Sequence, residues 1–157
     1  MNDNTQQKTA YQSAPLWRRL GAIIYDTILV LAIWMLVGFV ILFVFGINEA
    51  QRLEGETVVL DPLYRFILFS AMLSSALTFF TWFWTNSGQT LGMQAWKIKI
   101  QNKNGSNISI RQALIRFTLA PLSFGLFGAG YFLMFFNQQQ QTLHDKVSKS
   151  DVVQVKP

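Results

Sequence analysis

The sequence predicts an α-helical membrane protein with three hydrophobic membrane segments and a small cytoplasmic β-hairpin. Three observations carry this expectation. Of 157 residues, 51% are hydrophobic and only 13% are charged, about half the charge of an ordinary soluble domain. The apolar residues fall into long uncharged runs. The one connection rich in lysine and arginine has no acid to balance it. The absence of cysteine excludes a disulfide scaffold, a thiolate zinc site and a cysteine nucleophile, and the single histidine leaves no histidine cluster for catalysis or metal binding.

Residues 1–15 read as a polar cytoplasmic N-terminal tail, and 16–155 as the membrane domain. The first apolar run, 20–45, contains one charge, Asp26, and exceeds the roughly 20 helical residues that cross a bilayer core. It is too long for the h-region of a cleaved signal peptide and lacks a small-residue cleavage site, so it reads as an uncleaved signal anchor. The second run, 66–84, is uncharged and ends in Phe79, Phe80, Trp82, Phe83 and Trp84, an aromatic belt at headgroup level. The third, 117–136, is interrupted by Pro121, Gly125, Gly128 and Gly130. It is either a third span or a broken, re-entrant pair of short helices.

Orientation follows from the cations in the short connections. Lys8, Arg18 and Arg19 precede the first run, and Lys97, Lys99, Lys103, Arg111 and Arg116 lie between 85 and 116 with no acid. Both segments are expected on the cytoplasmic side. The connection between the first two runs has Arg52 and Arg65 against Glu49, Glu54, Glu56 and Asp61, and is expected on the other side. Together these place the protein as a multi-pass membrane protein with both basic segments on the cytoplasmic side.

Within the basic connection, Trp96, Ile98 and Ile100 alternate with Lys97 and Lys99, a strand with one apolar and one cationic face. A hairpin over about 95–110 follows, with a three-residue loop Lys103-Asn104-Gly105, a left-handed Gly105, and Ile100 opposite Ile108. Ser109 and Gln112 have capping-box spacing, which starts a helix near Ile110 running toward Pro121. The tail from Asp151 to Val155 is strand-like again. It can join the hairpin only from the cytoplasmic side, whereas three complete spans would put it outside; a re-entrant third segment removes the conflict.

Charges beside apolar runs are the candidate functional residues: Arg19, Asp26, Arg116 and Asp145. A carboxylate at mid-bilayer costs roughly 2.5–3.5 kcal/mol, so Asp26 sits at the headgroup boundary, joins a structural ion pair, or handles ions. Arg116 is the partner expected for Asp26, and Asp145 the partner for Arg19 if the tail returns to the same side. His144, beside four glutamines, reads as an interfacial residue. The stretch from Gly88 to Gly92 lacks the Lys-Ser/Thr ending of a phosphate loop. No nucleophile-and-base spacing is present, so no catalytic site and no cofactor or metal are expected. The basic connection suits anionic lipid headgroups better than nucleic acid because it is tethered at the membrane.

Read in order, Leu16-Trp-Arg-Arg-Leu-Gly-Ala-Ile-Ile-Tyr-Asp26, Ser87-Gly-Gln-Thr-Leu-Gly-Met93, Gln141-Thr-Leu-His-Asp145 and Val152-Val153 resemble the RDD family of bacterial membrane proteins. The family is named for an arginine and two aspartates, which the resemblance carries onto Arg19, Asp26 and Asp145. One departure is Ser148-Lys-Ser-Asp151, where relatives often have Gly-Thr before the final valines. The resemblance implies a small polytopic, multi-pass protein of the bacterial cytoplasmic (inner) membrane, and for some relatives an association with sodium–proton exchange. Two functions follow as expectations. One is a non-enzymatic structural or accessory membrane protein, acting as a homo-oligomer or with a membrane protein partner. The other is a proton-coupled cation (sodium) transporter using Asp26 and Asp145.

Overall fold

A computed structural model describes residues 12–46, 51–54, 57–125 and 143–155. In chain order the elements are α1 (Leu16–Phe45), β1 (Gln51–Glu54), β2 (Thr57–Leu60), α2 (Pro62–Asn86), α3 (Leu91–Ala95), β3 (Ile98–Asn102), α4 (Ile110–Gly125), α5 (Leu143–Ser148) and β4 (Ser150–Gln154).

The two long helices hold 30 and 25 residues, about 45 and 38 Å at roughly 1.5 Å per residue. Both are long and apolar enough to cross a membrane. α2 starts as its sequence dictates: Asp61 caps the helix by accepting from the Leu63 amide at 2.8 Å, and Pro62 occupies the first turn, where no amide partner is needed. The helices run antiparallel. The Trp34 indole donates to the Met72 carbonyl at 2.9 Å, and Gly38 lies against the Leu68 side chain one turn further along. The bond between Trp34 and Met72 satisfies a polar group that lipid cannot.

Burial along α1 is one-ended. Arg19, Gly21, Ala22, Asp26 and Val30 are buried, whereas Met35, Phe39 and Phe43 are 78%, 67% and 81% exposed. A continuous apolar surface of this kind belongs against lipid, not water. The protein core sits at the other end, where α1 begins and α2 finishes. It gathers Ala14, Ala22, Trp84, Met93, Ile98, Ile100, Ile108, Ala113 and Val152, with Phe80, Trp96 and Phe117 packed against it. The aromatic cluster closing α2 therefore divides: Phe80 and Trp84 turn into this core, while Trp82 is 65% exposed.

The expected hairpin over 95–110 is replaced by a different sheet. Trp96 terminates α3, so the strand begins only at Ile98 and pairs antiparallel with the tail, Ile98 opposite Gln154 and Ile100 opposite Val152. The expected turn is present: the Asn102 amide donates to the Ser106 carbonyl, and Gly105 has φ +83°. The ladder stops there for two local reasons. The Asn102 side chain donates to the Asn107 carbonyl at 2.9 Å. The Ser109–Gln112 capping box then forms and starts α4 at Ile110, leaving Ile108 to fill the core. A third strand-like segment comes from residues 12–14. The Ala14 amide donates to the Val152 carbonyl and the Gln154 amide to the Gln12 carbonyl, both at 2.9 Å. Residues at the end of the expected tail 1–15 are thus part of the fold, and Ala14 is fully buried.

A second sheet joins β1 and β2 in the connection between the long helices, Gln51 opposite Leu60. α4 continues through Pro121 to Gly125 instead of stopping before the proline. The rest of the third apolar run and the Gln138–Gln141 stretch lie outside the described residues, and a third span is not shown. Both described flanks of that run, α4 and α5, pack together, and β4 then joins β3. The first half of α4 and all of α5 therefore lie at the same end of the helix pair.

Candidate functional site: a buried Arg–Asp–Arg cluster

The fold brings three separated segments onto one carboxylate. Asp145, in the first turn of α5, is fully buried. Its Oδ2 accepts from Arg19 Nη1 and its Oδ1 from Arg116 Nη1, each at 2.6 Å. Both arginines are buried too, at 5% and 4% exposure. Removing charges from water is costly unless pairing and hydrogen bonds compensate, and Arg19 shows how this is met. Its Nε donates to the Ala14 carbonyl at 3.0 Å, and its Nη2 reaches Ser13 Oγ and the Val152 carbonyl, both at 3.4 Å. Arg19 thus ties α1 to the N-terminal segment, α5 and β4 at once.

Arg116 makes the second tie. Its Nη1 also donates to Ser150 Oγ at 2.6 Å and approaches Ser148 Oγ at 3.4 Å, and the two serine hydroxyls lie 2.7 Å apart. The guanidinium lies over the Trp84 ring, 5.8 Å from its centroid, a cation–π arrangement that suits a desolvated cation. Gln112, one turn before Arg116, donates to the Ser148 carbonyl and to Asn102 Oδ1, both at 2.8 Å. α4 is therefore fastened to the end of α5 and to the end of β3.

Asp26 does not meet Arg116. The Thr90 hydroxyl donates to Asp26 Oδ2, and the Gly92 amide donates to Oδ1 at 2.9 Å. Thr90 Oγ1 also accepts from the Met93 amide, capping α3. A hydroxyl and a backbone amide thus satisfy the carboxylate for which Arg116 is the first candidate partner in the sequence. The approach requires a glycine: a Cβ on Gly92 would stand 2.4 Å from the Ala22 carbonyl oxygen and 2.8 Å from Asp26 Oδ1. Asp26 and Thr90 lock α3 onto α1 as the arginines lock α5 and β4.

Of the four candidates, the structure joins Arg19, Arg116 and Asp145 and places Asp26 in a separate contact. Ser13 carries no expectation from the sequence, and Thr90, Gly92, Ser148 and Ser150 enter it only within motif stretches, with no role assigned to them. Thr90 carried a usable signal, a hydroxyl three residues before Met93 at the start of a short helix. The serines carried none, because their roles depend on pairing between segments far apart in sequence. The comparison with known families matches residues 13–149 to the RDD family. The chain belongs to the RDD family. The match covers α1 with Arg19 and Asp26, the Thr90–Gly92 turn, and Asp145. No curated protein and no solved structure matches the chain.

Proposed function

We propose that this RDD protein is a non-enzymatic, multi-pass protein of the bacterial cytoplasmic membrane with a structural or accessory role. In this reading α1 and α2 span the bilayer, and the cluster end forms a cytoplasmic cap that presents a surface to a second copy or another membrane protein. The observation that carries it is the use of the buried charges. Asp145 is shared by two arginines, and Asp26 is held by a hydroxyl and a backbone amide. Each conserves a junction between segments, and each would have to break its contacts to move an ion. The cations of 85–116 support a cytoplasmic cap resting near anionic headgroups.

The second reading, a proton-coupled cation transporter using Asp26 and Asp145, is favoured by one observation: a buried carboxylate within a long apolar helix. Proteoliposomes under a pH gradient separate the two. The structural reading expects no sodium-dependent proton flux above protein-free vesicles, together with a reduced folded yield for Asp26→Asn. Flux in the wild type that disappears in a well-folded Asp26→Asn protein would establish the transporter instead.

A further inference from the structure

Beside the cluster, the adjacent arginine is treated differently. Arg19 is buried on Asp145, whereas Arg18 has no carboxylate partner among the described residues. It is nonetheless held in place. Its Nη1 donates to the Trp96 carbonyl at 3.3 Å, and its guanidinium carbon lies 5.0 Å from the Trp17 ring centroid. Trp96 stands edge-on to Trp17 at 5.5 Å and to Tyr25 at 6.1 Å. The Trp96 ring in turn is seated on Gly21, where a Cβ would come within 2.2 Å of it. Trp17 and Tyr25 are 57% and 51% exposed, and Lys97, next to Trp96, is exposed as well. Arg18 Nε and Trp96 Nε1 are buried and have no hydrogen-bond partner among the described residues. A cation and two indoles are thus fixed in position at the outset of an apolar helix, with no anion beside the cation among the described residues.

We propose that Arg18, Trp17, Trp96 and Lys97 form a subsite for the phosphodiester of an anionic phospholipid. The inference rests on the membrane reading above, which puts the start of α1 at headgroup level, where indole and phenol rings settle. A guanidinium fork matches two phosphate oxygens, and Lys97 adds a point charge beside it. The lipid selected carries no headgroup cation. A choline would seek the face of Trp17, but Arg18 already covers that face, and like charges repel there.

The full-length protein in detergent can be titrated with phosphatidylglycerol, phosphatidylcholine and inorganic phosphate, with bound adducts read by native mass spectrometry. Phosphatidylglycerol is expected to bind best. Arg18→Gln should weaken it roughly tenfold, Arg18→Lys should weaken it less, and Arg111→Gln, an exposed charge on the basic connection that also carries Lys97, should leave it unchanged. Equal losses for Arg18→Gln and Arg111→Gln would overturn the subsite in favour of diffuse charge attraction. Inorganic phosphate competing as well as the lipid would overturn the lipid assignment. Resistance of the protein to carbonate extraction tests the underlying membrane reading separately: loss of selectivity in a protein that stays in the membrane overturns the subsite alone, and release from the membrane overturns both.

Discussion

Asp145 shares its two oxygens between two arginines, so its loss and the loss of either arginine have different consequences. Asp145→Asn strands two buried cations on one neutral amide and is expected to cost about 3–5 kcal/mol, read as a large fall in detergent thermal stability or in folded yield. Arg116→Met leaves the Arg19–Asp145 pair intact, with no orphaned charge, and should cost clearly less in the same assay. Gly92→Ala forces a methyl group against the Ala22 carbonyl and Asp26, where backbone gives little, and should cost about 1–3 kcal/mol. At this scale the sequence reading was uneven. Arg19 with Asp145 was legible because both adjoin apolar runs and both belong to family motifs. The surroundings of Asp26 were not, because charge arithmetic pairs ions with ions, whereas a hydroxyl and a backbone amide from the distant start of α3 satisfy Asp26.

Among the elements, the long helices were the most legible, since twenty or more apolar residues in sequence leave few alternatives. The Ser109–Gln112 capping box was legible for a similar reason: it is written within four residues. The partner of Ile98–Asn102 was not, because a nearby turn and alternating isoleucines suit a local hairpin as well as they suit a distant strand. The competing Ser109–Gln112 cap decided the outcome by drawing Ile110 into a helix. The tail strand enters through Lys149, which has φ +53°, a left-handed conformation disfavoured for residues bearing a Cβ. It falls in the stretch where relatives often carry Gly-Thr. Lys149→Gly is therefore expected to stabilise the protein by about 0.5–1 kcal/mol, detectable as a small rise in melting temperature. Deleting residues 150–157 removes the strand that covers Ile98 and Ile100 and the Ser150 contact of Arg116, and should yield aggregated protein on size-exclusion chromatography.

The described residues are organised around one end of the helix pair. Residues 12–14, the α2–α3 turn, β3, α4, α5 and β4 converge on the beginning of α1, and the β1–β2 hairpin lies at the far end of the helix pair. The buried ionic cluster joins the N-terminal part of the chain to its last strand, which requires both to lie on one side of any membrane that α1 and α2 cross. Because the chain has no cysteine, single cysteines placed at Gln12, Leu60 and Val155, all exposed, report this arrangement directly. Labelled with a membrane-impermeant maleimide in sealed vesicles of known orientation, the cysteines at Gln12 and Val155 should react from the same side and the one at Leu60 from the opposite side. Reaction at Val155 from the side that labels Leu60 would contradict the account.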